Sequence, residues 1–316
     1  MTAEPLVYVH GAGRQMPAIA LKHELDQLLF GQDMATSRVA YFADVRWPPA
    51  GALARRRPAE PAPGRAVRER AIRRAEHPQL SPKAAASTIV TASVASRAID
   101  RRAVAGSLAS PASPHEANAL RLAAQLYRRA DRIAQRSSIG SARLAAGIYF
   151  PDPIFRRVVG FFASDVIDYL YGGFAERMRA PVRQALLDGP QPGVIVAHSL
   201  GTIILYDVLS EPAFAGLDVQ LLVTVGCPLG IGNIQERLRD GAGRPNPVPP
   251  ALEAWANFAD RWDPVALDPT VRNEFTPPRD FATDESVNNP AKNNHDLTGY
   301  LSVGIVRSSI VTAVGS

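Results

Sequence analysis

The stretch GVIVAHSLGTIILYDVL, residues 193–209, decides how this chain is expected to fold. Residues 193–197 form an apolar run that follows a loop, and such a run predicts a strand buried in a parallel sheet. Residues 201–209 predict the helix that comes next. Ser199 lies between the two, and the residues two positions before and after it, Ala197 and Gly201, are small. This pattern is typical of a sharp strand-to-helix turn that presents a serine hydroxyl at the end of a sheet.

Strands and helices alternate along much of the remaining chain. Apolar runs predict further strands at residues 5–9, 38–43, 219–225 and 255–258, and the last of these is expected to be the final strand. Helical spacing of apolar residues predicts helices at 18–30, at 163–188 with a bend at Pro181, and at 299–314. Because strands that alternate with helices favour parallel βαβ units, the expected fold class is α/β, a mostly parallel sheet flanked by helices.

An alanine-rich, basic segment interrupts this alternation. Proline-rich stretches mark its start, so the predicted organisation is a core of residues 1–50 and 150–316 with residues 51–149 inserted. The whole chain has a net charge of +5, but residues 51–145 hold 18 Lys/Arg against 6 Asp/Glu. Tyr127 is the one aromatic residue within 51–145 and offers no stacking surface for bases, so a nucleic acid is not an expected partner.

The inserted segment also carries a helix start. Ser113 and Pro114, with Glu116 three residues after the serine, have the pattern of a capped helix N-terminus. We therefore expect an ordered helical cap. A flexible, partly disordered insertion is the alternative, because an Ala/Arg composition buries little apolar surface.

A serine in a strand-to-helix turn can act as a nucleophile only with a base and an acid nearby. In folds with this turn, the acid follows the serine along the chain and the histidine follows the acid. Of the 6 histidines, His295 alone follows Ser199, so it is the predicted base. Asp263, which precedes a proline after the strand predicted at 255–258, is the favoured acid. Asp260 remains the alternative acid.

Two backbone N–H groups are expected to hold an oxyanion beside the serine. One belongs to Leu200, and the other belongs to the loop after the first strand, where Ala12 is favoured. Gly11 allows the backbone to approach a substrate closely, and His198 lies directly before the serine, so both are predicted to line the substrate side. Arg14, on the same loop as Ala12, is a candidate contact for an anionic group, with a solvated surface charge as the alternative.

The remaining reactive residue types predict no metal and no cofactor. His10 is expected to be structural, and Cys227 is expected to be a buried packing residue. With 1 cysteine the chain cannot form an internal disulfide. We find no signal-peptide pattern and no apolar run long enough to span a bilayer, so a cytoplasmic location is expected.

Four motifs resemble those of the bacterial lipase and esterase branch of the α/β-hydrolase superfamily. They are His10-Gly11-Ala12-Gly13, Ala197-His198-Ser199-Leu200-Gly201, Asp263-Pro264-Val265, and His295 with Tyr300. The resemblance covers residues 5–47 and about 160–310, and it does not extend to the inserted segment. It implies an α/β-hydrolase fold and the hydrolysis of an acyl ester or lipid through an acyl-enzyme on Ser199.

Other functions are compatible with the same residues. A thioesterase, a phospholipase or an acyltransferase would use the same three side chains and the same covalent intermediate. A non-catalytic scaffold is an alternative of a different class, in which the basic insert would bind an anionic membrane surface or a partner. The complete set of serine, histidine and aspartate argues against the scaffold.

Overall fold

A computed structural model describes residues 4–48, 121–122, 124–125, 153–238, 246–266, 268–276, 282–291 and 293–315. The predicted cap at 51–149 lies almost entirely outside these residues. The chain divides into two compact units, one of Met1–Pro58 with Phe174–Ser316 and the other of Ala59–Gly173. The first unit contains all the described strands.

Six parallel strands form the main sheet. Along the chain the described strands are β1 (Leu6–Val9), β2 (Ser37–Ala40), β3 (Val194–His198), β4 (Leu221–Val225), β5 (Asn246–Pro247), β6 (Trp255–Asp260), β7 (Phe275–Thr276) and β8 (Ala282–Val287). The order in the sheet is β2-β1-β3-β4-β6-β8, and β5 pairs with β7 separately. The predicted α/β class with a parallel sheet is therefore confirmed.

Helices of the first unit cover both faces of the sheet. The described helices are α1 (Ala18–Phe30), α2 (Ala43–Arg46), α3 (Pro153–Tyr171), α4 (Ala175–Leu187), α5 (Leu200–Leu209), α6 (Gly232–Leu238), α7 (Leu297–Ser302) and α8 (Gly304–Gly315). One face of the sheet packs against α1, α7 and α8 in a single apolar cluster that includes Tyr8, Val196 and Val225. The helices α4 and α5 pack on each other and on β1, and they contribute nothing to that cluster, so they cover the opposite face.

Three predicted elements differ from the structure. The single helix expected at 163–188 is wrong: α3 and α4 are separate, because Gly173 adopts a φ of 77° and ends the first helix, and Pro181 lies inside α4. The helix expected at 299–314 is also two helices, because Val303 is extended. The strand at 255–258 is not the last. The edge strand β8 follows it, and its sequence ATDESV is mostly solvent-accessible and lacks the apolar pattern of a buried strand.

A buried carboxylate ties the first βαβ unit together. Asp26 of α1 accepts hydrogen bonds from the hydroxyls of Tyr8 (2.8 Å) and Ser37 (2.7 Å), which lie on β1 and β2. It also accepts from Lys22 Nζ (2.7 Å) and from the Met34 amide (3.0 Å). Burial and the charge of Asp26 raise the pKa of Tyr8, so that hydroxyl remains a donor.

None of the helices in the described ranges combines the length and the apolarity needed to cross a bilayer.

We predict that Asp26→Asn lowers the free energy of unfolding by about 1–3 kcal/mol, because an amide cannot accept from all four donors and leaves buried groups unpaired. Urea unfolding followed by circular dichroism measures the change. Asp33→Asn is the matched control, since Asp33 is exposed and contacts only surface side chains in the described region. Equal effects of the two substitutions would contradict the structural role of Asp26.

Candidate active site

Ser199 links β3 to α5 in a strained backbone conformation. Its φ is 54° and its ψ is −128°, a region that residues with side chains rarely adopt and that costs about 1–3 kcal/mol. Its N–H donates to the Val225 carbonyl of the neighbouring strand β4 (3.3 Å). Gly201 permits the turn, because a Cβ there would collide with the carbonyl oxygens of Val9 and His10. The serine therefore lies at the carboxyl end of a central strand and at the N-terminus of a helix.

Three side chains from three strand ends form one chain of hydrogen bonds. Ser199 Oγ lies 2.9 Å from Nε2 of His295, and Nδ1 of His295 lies 2.8 Å from Oδ2 of Asp263. Ser199 follows β3, Asp263 follows β6 and His295 follows β8. Because a carboxylate can only accept, Nδ1 carries the proton, and in the neutral ring Nε2 can accept the serine proton. The three residues that the sequence singled out are thus brought together, and all three are buried.

Asp263 is a fully buried carboxylate that accepts four hydrogen bonds. Oδ2 accepts from His295 and from the Tyr300 hydroxyl (2.7 Å). Oδ1 accepts from the amides of Val265 (2.7 Å) and Ala266 (3.3 Å). Burial alone raises the pKa of this carboxyl, but the charge of His295 and these hydrogen bonds outweigh burial and hold its pKa below the ordinary value. The side chain therefore stays ionised beside the imidazole.

Asp260 serves the loop that carries the histidine. Its Oδ1 accepts from the Trp262 amide (2.7 Å), and its Oδ2 accepts from the Asn289 amide (2.7 Å) and from Asn294 Nδ2 (3.2 Å). No hydrogen bond in the described structure joins the Asp260 carboxylate to His295. Of the two acids left open by the sequence, Asp263 is the one that contacts the imidazole.

His198 holds the same loop from the other side. Its Nε2 donates to the backbone carbonyl of His295 (2.7 Å), and the two rings lie 4.7 Å apart. Burial, and then the charge of His295, lower the pKa of His198 to about 3. His198 thus remains neutral and fixes the backbone of His295, while its Nδ1 faces Gly11 of the loop after β1.

The loop after β1 passes directly beside the serine. A Cβ on Gly11 would lie 2.6 Å from His198 Nδ1 and 2.9 Å from Ser199 Cβ, so only glycine fits there without displacing its neighbours. Within the part of the chain that the structure describes, the amides of Ala12 and Leu200 donate to no protein acceptor. Leu200 begins α5, where the first N–H groups lack intrahelical partners. Both amides remain available to an oxygen bound near Ser199.

His10 fixes the orientation of one of these amides. The Phe42 N–H donates to His10 Nε2 (3.0 Å), so the ring proton is on Nδ1, which donates to the Gly11 carbonyl (2.8 Å). The Gly11 carbonyl and the Ala12 N–H belong to one planar peptide and point in opposite directions. Holding the carbonyl therefore sets the direction of the Ala12 N–H. Burial lowers the pKa of His10 to about 4, which keeps the ring neutral in this role.

Two other candidates lie outside this hydrogen-bond network. Arg14 is exposed, with its guanidinium 5.5 Å from the ring of Trp47, and no hydrogen bond within the described ranges joins it to the serine, histidine or aspartate. Cys227 is buried, its Sγ lies 3.5 Å from Thr202 Oγ1, and burial raises its pKa to about 11. The described side chains include no cluster that could hold a metal ion.

Sequence reasoning missed several residues that shape the site. Gly226 follows β4 with a φ of 55°, and a Cβ there would lie 2.9 Å from both Asp263 Oδ2 and His295 Nδ1. In the sequence, the glycine directly after the apolar run of β4 was the one indication of a close approach at this strand end. Asn289 and Asn294, which bind Asp260, carried none, because polar loop residues are common on surfaces.

Comparison with protein-family models gave no match, and neither the curated proteins nor the solved structures gave one. Geometry and chemistry therefore carry the functional argument.

The low pKa values of His10 and His198 predict that the protein becomes less stable as the pH is lowered. Below about pH 6.5 the two imidazoles bind protons in the unfolded chain but stay neutral in the folded protein. Acid therefore favours the unfolded state. Between pH 7 and pH 5 we expect each ring to remove roughly 2 kcal/mol from the free energy of unfolding. Urea titrations at the two pH values measure the difference, and most carboxyl groups titrate below this range.

The variant His198→Gln separates this effect from general damage. It is expected to be less stable than the wild type at pH 7 and to lose about half of the pH dependence, so the two proteins differ less at pH 5. A wild-type stability that is the same at pH 7 and pH 5 would show that the two rings are not held neutral by the fold.

Proposed function

We propose that this chain is a serine hydrolase of the α/β-hydrolase type that cleaves carboxylic esters through an acyl-enzyme on Ser199. The observation that carries the proposal is the unbroken hydrogen-bond chain from Ser199 through His295 to Asp263, with the serine in a strained strand-to-helix turn. A buried serine, imidazole and carboxylate in this order are the parts that nucleophilic acyl transfer requires.

The first half-reaction forms the acyl-enzyme. His295 Nε2 takes the proton of Ser199 as Oγ bonds to the ester carbonyl carbon, and the carbonyl π electrons move to oxygen. The protonated imidazole then gives that proton to the leaving alcohol as the carbon–oxygen bond breaks. In the second half-reaction, water gives a proton to His295 and attacks the acyl carbon, and Ser199 leaves with the proton restored.

Asp263 has two tasks in these steps. It holds the proton on Nδ1, so that Nε2 faces the serine, and its negative charge stabilises the imidazolium that forms in the transition state. The low pKa of the buried carboxyl suits both tasks, since the proton stays on the histidine.

The negative charge on the substrate oxygen needs donors that are in place before the reaction. The amides of Leu200 and Ala12 lie on the two segments that meet at Ser199, and they have no other acceptor in the described structure. Preorganised amide donors of this kind are worth about 2.7–4 kcal/mol each in transition-state stabilisation. The link from His10 to the Gly11 carbonyl keeps the Ala12 donor oriented.

The topology also supports the proposal. The sheet order reverses between β1 and β3, and ligands of open parallel sheets bind at the carboxyl ends of strands where the order reverses. The loop after β1 and the Ser199 turn after β3 lie at that position. The serine, acid and histidine follow one another along the chain in the order typical of α/β-hydrolases. A helical cap formed by residues 51–149 remains a prediction.

We predict that Asp263→Asn lowers kcat for a short-chain p-nitrophenyl ester by roughly 10³–10⁴-fold, because the amide favours the wrong imidazole tautomer. Asp260→Asn is the matched control, since it alters a buried aspartate three residues away that does not touch the imidazole. It is expected to cost less than roughly tenfold, through the histidine loop.

Ser199→Ala supplies the background rate, and a parallel set of acyl esters and thioesters of graded length identifies the preferred leaving group. A larger loss from Asp260→Asn than from Asp263→Asn would contradict the assigned roles. Wild-type protein no faster than Ser199→Ala on every substrate would contradict the proposed function.

A further inference from the structure

We propose that Tyr300 is a positioning residue of this site, whose hydroxyl bridges the Asp260 amide and Asp263 Oδ2 and so sets the place and the basicity of the carboxylate behind His295. This inference rests on the proposed function. It goes beyond it by adding a fourth side chain that acts on the histidine through the aspartate.

The geometry leaves one arrangement for the hydroxyl proton. Tyr300 Oη lies 2.9 Å from the Asp260 amide nitrogen and 2.7 Å from Asp263 Oδ2. The amide can only donate and the carboxylate can only accept, so the hydroxyl accepts from Asp260 and donates to Asp263. Burial and the charge of Asp263 raise the pKa of Tyr300, so the phenol keeps its proton.

The ring is buried in the core, and this packing restricts where its hydroxyl can lie. Tyr300 lies on α7 with none of its surface exposed, within the apolar cluster formed by α1, α7, α8 and one face of the sheet. It therefore connects the packed core to the carboxylate. Its own helix follows His295 directly, since Asp296 caps the N-terminus of α7.

Asp263 Oδ2 is shared by two donors, and this sharing has an electronic consequence. The Tyr300 hydroxyl withdraws electron density from the oxygen that also accepts from His295 Nδ1. A carboxylate that accepts more hydrogen bonds is less basic and holds an imidazolium less tightly. Tyr300 thus limits how strongly Asp263 holds the imidazolium that forms during the reaction.

The other ionisable groups around this carboxylate are few. His198 lies on the β3 side, Asp260 on the β6 end and Asp296 at the start of α7. His198 stays neutral because its pKa is about 3. In the described structure the carboxylates of the two aspartates form no hydrogen bond with the Asp263 side chain, and Tyr300→Phe replaces none of these three side chains.

The test is the pH profile of kcat/KM for Tyr300→Phe. Removal of the hydroxyl makes Asp263 more basic, so the acid limb is expected to move to higher pH by roughly 0.5 unit. Loss of positioning is expected to lower kcat by roughly 10–100-fold, with KM changed less than about twofold. The control is Tyr206→Phe, which removes another buried hydroxyl; this one donates to the Pro247 carbonyl (2.8 Å) and forms no hydrogen bond with Ser199, His295 or Asp263 in the described structure.

If Tyr300→Phe does not fold, a second variant that keeps the hydroxyl provides the test. Site-specific Tyr300→3-fluorotyrosine keeps the hydroxyl but makes it a stronger donor, so the acid limb is expected to move to lower pH, opposite to the phenylalanine variant. An acid limb that stays at the wild-type pH in either folded variant would overturn the role of Tyr300. If wild type and Tyr206→Phe both fail to hydrolyse esters, the proposed function fails, and this inference falls with it. If wild type and Tyr206→Phe are both active but the acid limb does not move in the Tyr300 variants, the inference about Tyr300 is overturned and the proposed function stands.

Discussion

The hydrogen bond between Asp263 Oδ2 and His295 Nδ1 joins two loops that leave the sheet at neighbouring strands, β6 and β8. In a parallel sheet every strand ends at the same edge, so side chains far apart in sequence can meet there. The bond is buried, and the other three donors to the Asp263 carboxylate, from Tyr300, Val265 and Ala266, keep it ionised and in place. This contact turns Nε2 of the imidazole toward Ser199, while His198 and Asp260 hold the loop that carries His295.

Close approach at this edge requires residues without side chains. Gly11, Gly201 and Gly226 each lie where a Cβ would meet a residue of the site or the backbone that supports it. The strain of Ser199 and the burial of its partners both cost free energy, and the packed sheet supplies it. The site is therefore one rigid construction in which β1, β3, β4, β6 and β8 each contribute a loop or a strand end.

Features that leave a local pattern in the sequence could be predicted, whereas features that depend on tertiary packing could not. The apolar runs of β1, β3, β4 and β6 and the small residues around Ser199 are local patterns, and they predicted the parallel sheet and the turn. His295 could be found because no other histidine follows the serine. The polar edge strand β8 could not be found, because solvent-exposed strands lack an apolar period. The bridge through the Tyr300 hydroxyl depends on tertiary packing of α7, which no local pattern reports.

The central claim is that Ser199 is the nucleophile, and covalent labelling tests it most directly. The wild-type protein is treated with a fluorophosphonate, and its intact mass and its peptides are analysed by mass spectrometry. The account predicts a single phosphonyl adduct on Ser199, which Asp263→Asn slows and Ser199→Ala abolishes. An adduct on another residue, or labelling that persists in Ser199→Ala, would contradict the account.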